Sequence, residues 1–362
     1  MKSIVRLSLC CLCTFAFASI AVGQDDGFVP LFDGKTLDGW KSARSTGEGD
    51  WGPFSVNEEE QAIHVYAGAE AGSKQKTDCL NSDTQYSHFV LQLEYKWGEN
   101  RFEPRPDWDR DSGLLFHVHG DLTRVWPFCL EMQIGESAGD KPDARGSEGR
   151  FHTGDLFVLR KDLRTSTTIG ENKRYSADGK LKVGRSVRTP LGVEKPKGEW
   201  NAIEIRVQGS EKATFIFNGE TVLETSDFHF KDADGNKVSL ERGHIGLQAE
   251  WAELMYRNIR IKDLSPKVCQ TRIKEIRDNC IAYKLNVGSY PQSLNDLATR
   301  PEGMTEGEWG GPYLRGGKLP KDPWGKDFIY SADETTDRIS VSSNGPDGVT
   351  GTPDDIPARE NQ

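Results

Sequence analysis

Three short stretches of this sequence place histidine, glutamate and glutamine at alternating positions. In residues 115–119, His117 and His119 share strand parity with Leu115. In residues 129–134, Glu131 and Gln133 fall on one side, and Leu130, Met132 and Ile134 on the other. In residues 246–250, Gln248 and Glu250 oppose Leu247. A strand turns successive side chains to opposite faces, so each stretch offers a polar face backed by an apolar one. Brought together on one sheet, these faces make a polar floor of paired donors and acceptors, which suits sugar hydroxyls. The His-x-His pair projects two imidazoles the same way and can hold a divalent metal, with Glu131 as third ligand or, alternatively, as a general base. The ordinary alternative is the solvent side of a sandwich.

The elements that must position these residues read as β-strands. Residues 88–97 alternate strictly, with Phe89, Leu91, Leu93, Tyr95 and Trp97 on one face. Ile203, Ile205 and Val207 repeat the pattern, and residues 213–217 and 220–224 flank Asn218-Gly219, a two-residue hairpin signal. Residues 244–249 and 256–262 close a set of short antiparallel strands from residue 27 to about 264, the signature of a sandwich or jelly roll. Residues 99–112, 135–149 and 161–197 are polar and rich in charge, proline or glycine, and are expected as loops. At residue 265 the character changes. Cys269, Ile273, Ile276, Cys280, Tyr283 and Val287 recur at spacings of three and four, one apolar helix face ended by Gly288, and short strands and loops follow.

The chain has 362 residues, enough for two domains, and a net charge of −10. That charge, with a pI near 5.4, argues against nucleic acid or an anionic membrane surface as partner. Residues 1–23 read as a signal peptide: Lys2 and Arg6, an apolar run from Leu7 to Phe17, then small residues up to Gly23. The expected mature protein is soluble, secreted or periplasmic, with no membrane span after signal removal. Cys10, Cys11 and Cys13 lie too early in this segment for lipidation. Of the 7 cysteines, Cys79, Cys129, Cys269 and Cys280 remain. Cys79 and Cys129 can pair if their strands are neighbours. Cys269 and Cys280, about 16 Å apart along one helix, are expected as small buried apolar groups.

The segment GFVPLFDGKTLDGW at 27–40 resembles the opening motif of the 3-keto-disaccharide hydrolase family. DSGLLFH (111–117), VWPFCLEMQ (125–133), GDLF (154–157), GEWN (198–201), GHIGLQ (243–248) and YRNIRI (256–261) are similar to later segments of that family, in order. The resemblance covers 24–264 and implies a concanavalin-like antiparallel β-sandwich acting on 3-keto-glycosides, by hydrolysis or by elimination followed by hydration. A ketone at C3 acidifies the C2 proton, so such an enzyme needs a base, a group that polarises the ketone and a proton donor. Glu131 and His117 are the expected base and acid, with His119 or a bound metal on the ketone and Asp155 orienting a histidine. Trp126, Gln133 and Gln248 are expected sugar contacts. Where many members carry His-Gly after the Gly-Leu-Gln segment, this chain has Ala249-Glu250-Trp251, and Glu250 is the expected substitute.

Residues 265–362 resemble the soluble part of the type II secretion major pseudopilin, a small α+β domain. The matching pieces are AYKLN (282–286), Tyr290-Pro291, GPYL (311–314), KDPWG (321–325), SNGPDG (343–348) and DDI (354–356). The resemblance implies Ca2+ in the terminal loop, with Asp347, Asp354 and Asp355 as carboxylate ligands. The long apolar fibre-forming helix is replaced here by the sandwich, which points to an adaptor role with an envelope protein partner. The leading expectation is an exported hydrolase or lyase; the alternative is a non-catalytic carbohydrate-binding or envelope interaction protein.

Overall fold

The computed structural model describes residues 27–136, 152–159, 163–168 and 194–357; the expected signal segment and most of the stretches 135–149 and 161–197 lie outside the described residues. Numbered along the chain, ten strands form one antiparallel sheet: β1 (Val29–Pro30), β3 (Phe54–Asn57), β4 (Ala62–Val65), β6 (His88–Arg101), β10 (Arg164–Thr168), β11 (Asn201–Gln208), β12 (Lys212–Phe217), β13 (Glu220–Lys231), β14 (Lys237–Ser239) and β16 (Ala252–Asp263). A second antiparallel sheet runs β2 (Trp40–Ser42), β5 (Asp78–Tyr86), β15 (Gly243–Ala249), β7 (Asp111–His119), β8 (Phe128–Gly135) and β9 (Leu156–Val158) in spatial order. The two pack face to face as a β-sandwich.

The sandwich core follows from parity. Phe89, Leu91, Leu93 and Tyr95 of β6 and Ile203, Ile205 and Val207 of β11 meet Leu114, Phe116, Leu130, Met132 and Leu247 of the smaller sheet. Burying each such side chain contributes about 1.5–3 kcal/mol, which makes the alternation decisive. Asn218 and Gly219 turn β12 into β13 with φ of 47° and 86°, the left-handed pair that a tight hairpin requires.

Three expectations are corrected. Residues 99–112 are not wholly loop, because β6 continues to Arg101 and β7 begins at Asp111. Part of the stretch 161–197 is the strand β10, paired with β13. Cys79 and Cys129 do not sit on neighbouring strands: β15 and β7 lie between β5 and β8, and both thiols are free and buried.

Only Leu264 separates β16 from the helix α1 (Ser265–Val287), which carries Pro266 in its first turn and ends at Gly288 in the left-handed conformation. Its buried face, Cys269, Ile273, Ile276, Cys280 and Tyr283, packs on Leu297, Trp309, Trp324 and Val341 in a separate small core. Cys269 and Cys280 are unpaired and buried there. The strands β17 (Ile329–Asp333) and β18 (Arg338–Ser342) form a hairpin beside the helix. Two bonds tie this unit to the sandwich: the Leu264 amide donates to the His88 carbonyl at 2.8 Å, and Arg242 Nη1 donates to the Trp324 carbonyl at 2.5 Å.

Candidate active site

Leu130, Met132 and Ile134 of β8 and Leu247 and Ala249 of β15 face the inter-sheet core, so Glu131, Gln133 and Gln248 turn to the outer face of the smaller sheet. Cys79, Leu115 and Cys129 share that face in a small apolar cluster. The floor is well shielded: Glu131 is 3% exposed and Gln248 is 2% exposed. Between them, on β7, lies Gly113. A Cβ built there would stand 2.1 Å from Glu131 Oε1 and 2.5 Å from Gln248 Oε1, so only glycine leaves this space open.

At the end of the floor, Asp111 of β7 bridges Glu250, which follows β15. Gln133 Nε2 donates to Asp111 Oδ1 and, at 2.6 Å, to the Ser112 carbonyl. Arg105 Nη1 reaches Glu250 Oε1 at 2.7 Å and Asp111 Oδ2 at 3.2 Å. Its guanidinium lies against the rings of Trp108, at 4.5 Å, and Trp251, at 4.3 Å, which fixes the plane of the fork. Trp126, 42% exposed, stands 6.5 Å from the Trp251 ring and forms an aromatic rim.

Glu131 makes no hydrogen bond or ion pair among the described residues. Burial, reinforced by the carboxylates of Glu250 and Asp111, holds it well above the usual carboxylate range. It is therefore a neutral carboxylic acid beside two acidic groups gripped by an arginine, an arrangement that can donate a proton. The Glu131 expected as a base is better matched to the acid role.

The two histidines do not join this floor, and the expected shared face with Leu115 is corrected. A β-bulge shifts the register between Phe116 and His119, with His117 at φ 52°. Val118 consequently takes the outer position beside Leu115, and His117 turns inward among Phe89, Phe116 and Phe228. Fully buried, His117 donates from Nε2 to the Gly209 carbonyl at 2.9 Å, and its Nδ1 has no partner among the described residues. Burial lowers it to about 4, so it is neutral. His119 lies between Phe128 and Phe230, with Nδ1 2.9 Å from the His117 carbonyl. Asp155 is buried beside the floor: its carbonyl accepts the Gln133 amide at 2.8 Å, and its carboxylate accepts the His152 amide at 3.0 Å.

Among the described residues no three His, Cys, Asp or Glu side chains stand as a metal ion would need, so the floor does not fit a metal set. In the terminal loop, Asp347, Asp354 and Asp355 gather around Thr352 Oγ1, with carboxylate oxygens at 3.3, 2.6 and 3.5 Å. Each also accepts a main-chain amide, from Val349, Asp347 and Gly351 in turn. Asp111, Arg105, Trp108 and Trp251 were not singled out from sequence. Asp111 was findable, since it has the strand parity of Gly113 and Leu115; the reach of Arg105 across to Glu250 has no local signal.

Residues 260–358 match the family of type II secretion system protein G. The curated relatives include the type II secretion system core protein G of Klebsiella michiganensis, 39% identical over 79 residues, which are 20% of this chain and 54% of that protein. The chain spans about half the length of the curated relatives it matches. The major pseudopilin of enterohaemorrhagic Escherichia coli is a solved structure of similar fold, 29% identical, covering 26% of this chain and 81% of that one at a TM-score of 0.22. A carbohydrate-binding module from Bacillus subtilis is 12% identical over 62% of this chain and 96% of its own, at a TM-score of 0.32. A Parabacteroides distasonis protein provisionally assigned as a glycosyl hydrolase is 21% identical over 66% of this chain and 99% of its own, at a TM-score of 0.39. The match that spans both sheets and the whole of the polar floor is to residues 27–262, and by it the chain belongs to the family described as the 3-keto-alpha-glucoside-1,2-lyase-like domain.

Proposed function

We propose that this chain is an exported enzyme that breaks the glycosidic bond of a 3-keto-glycoside. The observation that carries the reading is Glu131, a buried neutral carboxyl on the sheet face that also holds Glu250 and Asp111. Glu250, ion-paired with Arg105, takes the proton from C2 of the sugar. The electrons of the C2–H bond form the C1–C2 double bond, the C1–O bond breaks, and the leaving oxygen takes the Glu131 proton. Addition of water across the double bond then completes a net hydrolysis. Gln133 holds Asp111 in place, and Trp126 offers an indole face to a second sugar ring. No step is routed through a metal.

The test is alcohol release from synthetic 3-keto-glucosides by the mature chain, with and without divalent metal. Glu131→Gln is expected to lower release by about 10²–10⁴ for an alkyl leaving group and much less for a nitrophenyl one, which needs no acid. Glu250→Gln is expected to lower both. No release under any metal condition, from folded protein, would overturn the enzymic reading and favour a carbohydrate-binding module with Trp126 as its contact.

The C-terminal unit is proposed to bind calcium through Asp347, Asp354 and Asp355, whose all-oxygen donor set suits a hard cation, and to dock an envelope protein. Both fit a location outside the cytoplasm.

A further inference from the structure

Gln248 carries an unspent acceptor. Its side chain is 2% exposed, yet Oε1 has no hydrogen-bond donor among the described residues. The strand beneath it cannot easily shift to cure this, because the Gln248 carbonyl accepts from Ser112 Oγ at 2.9 Å and from the Tyr256 hydroxyl at 3.3 Å. A buried polar atom left bare costs about 1–3 kcal/mol, which a donor brought by a ligand would recover. The space for such a donor is at hand. Gly113 contributes no side chain between Gln248 Oε1 and Glu131 Oε1, and both oxygens overhang the point where a Cβ would be.

We infer that the gap over Gly113 seats one free hydroxyl of the sugar, which donates to Gln248 Oε1 while standing beside Glu131, and that Gln248 thereby determines specificity. A hydroxyl fits because it brings the proton that Gln248 lacks. A ketone, an ether oxygen or a fluorine at the same place can only accept, and leaves the amide oxygen bare. Sites built to hydrogen-bond a hydroxyl discriminate strongly against analogues without it. The inference takes the sugar class from the proposed function, but its test needs binding alone.

The experiment is titration calorimetry of 3-ketoglucose and its monodeoxyfluoro analogues against the full chain, Gln248→Met and Gly113→Ala. One fluoro analogue is expected to bind the unaltered protein about tenfold more weakly than the parent, and Gln248→Met is expected to erase that gap. Gly113→Ala fills the space and is expected to weaken the parent sugar while circular dichroism and melting temperature stay close to the original. Should no fluoro analogue be discriminated, should the gap survive in Gln248→Met, or should the unaltered protein bind none of these sugars, the inference falls. A protein that discriminates in this way and yet releases no alcohol would overturn the enzymic reading and leave the hydroxyl seat standing.

Discussion

Glu131 and His117 are both buried and both neutral, and they pull stability in opposite directions as pH changes. Glu131 titrates higher in the folded chain than in the unfolded one, through burial first and then Glu250 and Asp111. Its contribution is whole below about pH 4.5 and is lost as pH rises through the folded value. Glu131→Gln, neutral throughout, should therefore match the original melting temperature near pH 4 and exceed it at pH 8, by about 2–4 °C for each kcal/mol recovered. A flat difference across that range would refute the neutral acid. His117 is lowered to about 4 by burial against an ordinary 6.5, so its contribution is whole above about pH 6.5 and is lost as pH falls toward 4. Urea midpoints at pH 7 and pH 4.5 should differ by less in His117→Leu than in the original chain; an equal difference would place the acid sensitivity elsewhere.

At the scale of elements, the strands were readable because burial on one face imposes a period of two. The face of β6 that carries Phe89 to Trp97, and the apolar sides of β8 and β15, follow from parity alone. The same parity put Glu131, Gln133 and Gln248 together correctly. It failed on β7 because a bulge adds a residue without leaving a local mark: Phe116, His117 and Val118 read as plain alternation until the strand must pair with β8 and β15. The Cys79–Cys129 question turned on strand order, which composition does not encode. Arg105 escaped notice because its value lies in where a proline-rich connection returns over the sheet. One element-level prediction concerns the β12–β13 turn. Gly219 at φ 86° has open space where a Cβ would go, so Gly219→Ala pays only the backbone penalty, about 1–2 kcal/mol, read as a lower melting temperature with an unchanged β spectrum. A neutral result would mean that the turn rearranges freely.

For the whole molecule, the coupling of the two units rests on few contacts. Arg242 is half-withdrawn from water and hands Nη1 to the carbonyl of Trp324, inside the turn that Asp322 organises through the amides of Trp324 and Lys326. Arg242→Met should cost about 1–3 kcal/mol and split a single calorimetric transition into two, with sugar binding by the sandwich preserved. A single unshifted transition would show that the helix packing alone couples the units. Calcium should raise the melting of the C-terminal unit, magnesium should do so less, and Asp354→Asn should blunt the response; equal curves with and without calcium would remove the ion from the reading.

The passage from β16 to α1 is a single residue, and the amide of that residue is already bonded to β6. Such a joint has no slack. Whatever surface grips the C-terminal unit also aims the outer face of the smaller sheet, so the second unit works as a bracket, and inserting a flexible spacer after Asp263 would free the aim of the catalytic face while leaving its chemistry intact.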